Sequence, residues 1–266
     1  MTRRYSLAHL TALHLDPPAL IRAAARAGFD AVGLLLLRVT EDSPGYPLMD
    51  DAAALARTRA ALAETGLAVQ DIEFVKITPE TQVQALLPLL DAGAALGARH
   101  VITAPYDPDL SRLAATLGAL SEAAQERGLS AVLEFFPWTV VPDLASCWRV
   151  VQAAGDAVGI LPDALHFDRS GSDLALLRAL PPQRLPFAHL CDAQVQPSYS
   201  TEALLHTARQ DRLPPGAGQI DLRGFLDALP PGTPLGLEVP LAGGVMVHDT
   251  DGALRTILQA AQRLGG

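Results

Sequence analysis

Short apolar runs alternate along the whole chain with longer stretches whose apolar residues recur at helical spacing. Residues 5–10, 31–37, 68–74, 101–104, 131–135, 158–161, 187–191 and 235–239 read as strands. Several of these are apolar almost throughout, as expected of parallel strands covered on both faces. Between and after them, residues 17–27, 51–63, 82–96, 110–127, 144–154, 173–180, 222–229 and 252–264 read as helices. Asp16 followed by Pro17 opens the first of these, and Gly66, Gly97, Gly128 and Gly155 stop later ones. Residues 192–221 read as a long loop.

The result is eight strand-then-helix units in a row. Such alternation implies a parallel sheet with helices outside it. Eight units in 266 residues suit a (β/α)8 TIM barrel of the α/β class, with residues 1–266 as a single domain. The rival, an open doubly wound sheet, would place a glycine-rich phosphate turn after the first strand. The stretch LAHLTALHLD, residues 7–16, contains no glycine.

Composition narrows the function classes. The chain is 49% hydrophobic with a formal net charge of -9. An acidic surface disfavours nucleic acid and anionic membrane as partners, while local arginines leave an anionic small molecule open. Two cysteines, Cys147 and Cys191, lie far apart and suggest neither a disulfide framework nor a thiolate metal site. No apolar run approaches a membrane span, and MTRRYSLAHL has no secretory h-region, so a cytoplasmic protein is expected. The Ala- and Leu-rich helices permit a homo-oligomer.

The chemistry is concentrated at strand ends. In AVLEFFPWT, residues 131–139, Glu134 interrupts an apolar run where a buried strand should finish. Asp163 in LPDALHF, His189 in AHLCD and Glu238 in LEVP occupy the same place on the next three strands. The C-terminal strand ends of a barrel carry the active site. Three carboxylates converging there would repel one another unless protonated or balanced by a cation. Oxygen-rich ligation with one imidazole suits one divalent metal ion, Mn2+ or Mg2+ first, with Zn2+ or Co2+ also fitting.

The order Glu134, Asp163, His189, Glu238 resembles the xylose-isomerase-like superfamily of sugar phosphate isomerases and epimerases. That resemblance covers essentially the whole chain. It implies that these four residues hold the metal and that Glu134 and Glu238 flank the substrate as catalytic groups. Two departures stand out: HLCD places Cys191 where a lysine is common, and a proline directly precedes Asp163. The stretch HTARQDRLPPGAGQIDL, residues 206–222, resembles the family loop that ends in a Pro-Gly-x-Gly turn. Pro215, Gly216 and Gly218 permit the turn, and Asp221 is placed to cap the helix after it. Arg212 with this turn, and Asp163-x-x-His166-Phe167, are similar to 3-dehydroshikimate dehydratases of the same superfamily.

These residues lead to an expected function: a divalent-metal-dependent isomerase or epimerase of a sugar or other small polyhydroxy carbonyl compound. Its reaction would remove a proton next to a carbonyl and pass through an enediolate. The alternative is a dehydratase, that is a lyase, of a cyclic hydroxyketone such as 3-dehydroshikimate or an inosose. A non-catalytic sugar-binding barrel is the third reading. His166, Arg212, His9 and Trp138 are the expected substrate contacts, Glu73 a weaker one, and Asp192 is expected to orient the neighbouring His189 through a hydrogen bond.

Overall fold

The computed structural model describes residues 3–40 and 43–265. Eight parallel strands form the sheet: β1 (Tyr5–Leu7), β2 (Ala31–Leu35), β3 (Ala68–Ile77), β4 (His100–Pro105), β5 (Ser130–Glu134), β6 (Gly159–Leu161), β7 (Ala188–Leu190) and β8 (Leu235–Leu237). Strands β1 to β6 pair consecutively, β1 also pairs with β8, and β8 with β7. Strands β6 and β7 share no ladder. A single parallel bridge between Asp163 and His189 links them instead, with the His189 amide donating to the Pro162 carbonyl at 3.0 Å. The barrel therefore closes at two of the expected metal ligands.

Helices cover the outside: α1 (Pro17–Ala27), α2 (Ala52–Thr65), α3 (Val83–Ala95), α4 (Leu110–Gln125), α5 (Leu144–Ala154), α6 (Ala164–Arg169), α7 (Leu174–Ala179), α8 (Thr201–Gln210), α9 (Leu222–Ala228), α10 (Val245–His248) and α11 (Thr250–Gly265). Aspartates start many of them. Asp16, Asp51, Asp109, Asp143, Asp163, Asp173 and Asp221 each accept a backbone N–H of the first turn, each such cap stabilising its helix by about 1 kcal/mol. Apolar strand faces such as Val32, Leu34, Leu133 and Leu190 pack outward against helical residues including Leu20, Ile21 and Leu117. Inside the barrel, Leu35, Ile102, Val132, Leu161 and Phe187 form a second, smaller cluster.

Three differences from the sequence reading bear on the mouth. Strand β1 stops at Leu7 rather than residue 10, and His9–Ala12 form a 3-10 turn. The cause is the Thr11 side chain, whose hydroxyl donates to the Leu237 carbonyl at 2.8 Å and accepts the Val239 amide at 2.8 Å. Strand β3 continues to Ile77, past a register shift between Ile72 and Val75 that carries Lys76 to the mouth. Helix α8 occupies part of the stretch read as loop. Ser200 caps it by accepting the Ala203 amide, and Ala208 is its buried contact. Both cysteines are buried and free. No helix among the described residues is long and apolar enough to cross a membrane.

Candidate active site

Glu134 is the last residue of β5, Asp163 follows β6, His189 is central in β7 and Glu238 follows β8. Alternation along each strand turns these side chains into the lumen mouth. One ligand atom each from Glu134, Asp163 and His189 lies within 4.8 Å of the other two, and all three residues are buried. That spacing is close to what bonds of about 2.1 Å to one shared ion would set. Glu238 stands beside this triplet, with Oε1 3.7 Å from His189 Nδ1. Glu134 Oε1 and both ring nitrogens of His189 have no hydrogen-bond partner. Buried polar atoms without partners are costly, and ligation of a cation is one way to satisfy them.

Arg212 is one of the expected substrate contacts. The side chain does line the cleft, but its donors face the carboxylates. Nη1 donates to Asp163 Oδ2 at 2.7 Å and to Cys191 Sγ at 3.4 Å; Nη2 is 2.6 Å from Glu238 Oε2; Nε donates to the Ala208 carbonyl at 2.9 Å. Burial works to raise the Asp163 carboxyl, but Arg212, His166 and His189 outweigh it and hold Asp163 well below the usual carboxylate range. The thiol that replaces lysine in HLCD thus packs on the guanidinium, and burial pushes it up to about 12.

One arginine does not balance the remaining acid. Burial, then the charges of Glu238 and Asp163, push the Glu134 carboxyl well above its ordinary value. Glu73 is raised well above by burial and by Asp71 and Glu238, and Asp71 is pushed up to about 6 mainly by burial. Asp71 escaped the sequence reading because it sits mid-strand in β3. Its carboxylate fills the space opposite Gly33, where an added Cβ would fall 2.5 Å from Oδ1. A Cβ at Gly236 would likewise fall 2.6 Å from His189 Cδ2. Two lumen glycines therefore make room for an aspartate and an imidazole beneath the mouth.

His166 Nε2 lies 3.8 Å from Glu134 Oε1, and its ring is wedged edge-on against Phe136 and Trp138. Burial keeps it neutral by lowering its pKa to about 3. Trp138 lines the same cleft and donates from Nε1 to Tyr106 Oη at 3.3 Å. His9 is not at the cleft: Nε2 donates to the Leu15 carbonyl at 2.9 Å and Nδ1 accepts the Leu35 amide at 3.0 Å. With both nitrogens engaged by backbone and the ring stacked on Tyr46 at 4.9 Å, His9 braces the first loop rather than meeting substrate.

Asp192 also differs from expectation. Its carboxylate makes no hydrogen bond to His189. Oδ2 accepts the amides of Gly216 and Gly218 at 3.0 and 2.9 Å, and Oδ1 accepts those of Ala193 and Ile220 at 2.8 and 3.1 Å. The Pro-Gly-x-Gly turn is wrapped around this one side chain. Gly218 is required there because a Cβ would fall 2.4 Å from Asp192 Oδ1 and 2.5 Å from the Ala193 carbonyl.

The family described as xylose isomerase-like TIM barrel matches residues 21–261. The chain belongs to this family. An inosose isomerase of Bacillus velezensis is 28% identical over 153 residues, covering 53% of this chain and 52% of that protein. A 3-dehydroshikimate dehydratase of Pseudomonas putida is 31% identical over 112 residues, covering 41% of this chain and 17% of that protein. The chain thus spans about half or less of the curated relatives it matches. Among solved structures, the IOLI protein with a bound zinc atom superposes with a TM-score of 0.81 at 18% identity, covering 98% of both chains. The probable 3-dehydroshikimate dehydratase AsbF from Bacillus anthracis gives 0.74 at 14% identity, covering 97% of this chain and 98% of that one. At such identities these structures establish the fold.

Proposed function

We propose that this protein is a divalent-metal-dependent enzyme that removes a proton from carbon next to a carbonyl in a small polyhydroxy compound, as an isomerase or epimerase. The observation that carries this reading is the buried triplet of Glu134, Asp163 and His189 with unpartnered ligand atoms. Names of relatives support it: inosose isomerase in sequence, and D-psicose 3-epimerase among structures of the same fold.

Glu134, Asp163, His189 and Glu238 would hold the metal, with Arg212 fixing the outer oxygens of Asp163 and Glu238. A bound divalent cation supplies Lewis-acid stabilisation of negative charge developing on substrate oxygens. Glu134 and Glu238 both line the cleft, and one would accept the proton while the other returns it. His166, neutral and beside Glu134, would donate a hydrogen bond to a substrate hydroxyl. Phe136 and Trp138 shape a wall and exclude water.

A dehydratase is the second reading, favoured by His166 itself: a neutral imidazole held beside the base in the cleft would hydrogen-bond a leaving hydroxyl, which departs as water with the proton that the glutamate base has taken up. The test is proton exchange in deuterated water with metal-replete protein, following inososes, dehydroshikimate and ketoses by NMR. Deuterium should enter next to the carbonyl, and Glu134→Gln and Glu238→Gln should each slow entry by roughly 100-fold or more. Full exchange in both variants would remove these residues as bases. An enone product would select the dehydratase.

A further inference from the structure

The cleft has two ends of opposite character. At its inner end lie Glu134, Glu238, Glu73 and His166; toward the rim it is lined by Val39, Tyr106, Ala208 and Arg209. Arg209 is half-buried on α8 and makes no ion pair among the described residues, unlike Arg212 three residues on. Lys76 stands against the same rim. Its ammonium donates to the Val39 carbonyl and lies 5.3 Å from the centroid of the Tyr106 ring. It also has no carboxylate partner among the described residues. Burial, then the nearby positive charge of Arg209, lowers its pKa.

Two cations held near each other and partly out of water repel, and a surface with net charge -9 offers carboxylates elsewhere in plenty. Arg22, Arg26, Arg112 and Arg127 all pair with such groups. Leaving Arg209 and Lys76 unpaired makes physical sense where an incoming anion completes the arrangement. Arginine matches a carboxylate or phosphate with two parallel N–H donors, and lysine adds a point charge.

We propose that the rim formed by Arg209 and Lys76 is an anion subsite, so that the substrate is a hydroxyketone carrying a carboxylate or phosphate at the end remote from the reacting carbonyl. This deepens the proposed function and rests on it. The reacting carbonyl goes to the inner end and the cationic rim holds the anionic group, so the two contacts fix one binding direction. A neutral polyol would gain nothing from the rim.

The test is equilibrium binding to manganese-loaded protein of two matched pairs: shikimate with its methyl ester, and fructose 6-phosphate with fructose. One charged member should bind roughly 10-fold or more tighter than its neutral counterpart, the scale of one charge-assisted hydrogen bond. Which pair shows the gap distinguishes carboxylate from phosphate. Arg209→Gln should erase the gap while leaving the neutral compound's affinity and the metal content per chain unchanged. No gap in either pair, or equal weakening of both members in Arg209→Gln, would overturn the subsite. Binding needs no turnover. A failed exchange experiment with a surviving gap would therefore count against the proposed reaction and not against the rim, and the reverse result would count against the rim alone.

Discussion

Arg212 Nη1 lies 2.7 Å from Asp163 Oδ2, with both side chains buried. The same guanidinium reaches Glu238 at 2.6 Å. It therefore ties the strand-six and strand-eight ends together before any cation arrives. Removing one partner of a buried ion pair typically costs about 3–5 kcal/mol because the other is left uncompensated. Arg212→Met should lower the melting temperature far more in EDTA than in saturating manganese, since a bound cation would restore balance to the carboxylates. Thermal melts with and without metal check this. An equal drop in both conditions would mean that Arg212 acts through packing alone.

Asp192 gathers the amides of Ala193, Gly216, Gly218 and Ile220. An asparagine keeps the shape but turns one acceptor into a donor facing amide donors. Asp192→Asn should destabilise the fold by about 1–3 kcal/mol, the cost of leaving buried donors unpaired. Because the turn lies just beyond Arg212, proton exchange should slow as well. Denaturant titration together with metal stoichiometry separates the outcomes: one ion per chain should remain bound.

Asp71 gives a pH signature with a definite sign. Its pKa rises from 3.8 unfolded to about 6 folded, so the native state holds the proton more tightly. The stability this contributes is complete below the unfolded value and is lost as pH rises through about 6. Asp71→Asn in metal-free protein should therefore gain stability relative to wild type as pH rises from 4 to 7, by about 2–3 kcal/mol at most. Chemical denaturation of both proteins across that range measures it. A difference independent of pH would show that Asp71 titrates normally.

Most of the barrel was legible because parallel strands buried on both faces leave nearly continuous apolar runs, and glycines mark helix ends. Helix α8 was missed because its few inward residues, with Ala208 alone buried, give a weak periodic signal amid charged neighbours. The strand-end acids could be read because a carboxylate in an apolar run is conspicuous. Asp71 was equally conspicuous in type, but its significance depends on Gly33 across the ladder. His9 and Asp192 were given functional work on the strength of position. Their hydrogen bonds are to backbone groups, which carry no residue label in the sequence. The Arg212–Asp163 contact joins residues 49 apart, and although the Pro-Gly-x-Gly turn marks Arg212 out from Arg209, nothing in local pattern shows that its partners are carboxylates of the protein.

The groups expected to move protons, Glu134 and Glu238, sit on or directly after strands, whereas Val39, Trp138 and Arg209 reach the cleft from connections outside the sheet. Inherited changes at the second set can alter the molecule that is accepted while the first set stays in register. Retailoring this barrel to a new compound therefore calls for a library at those three positions, and the lumen glycines Gly33 and Gly236 should be left untouched.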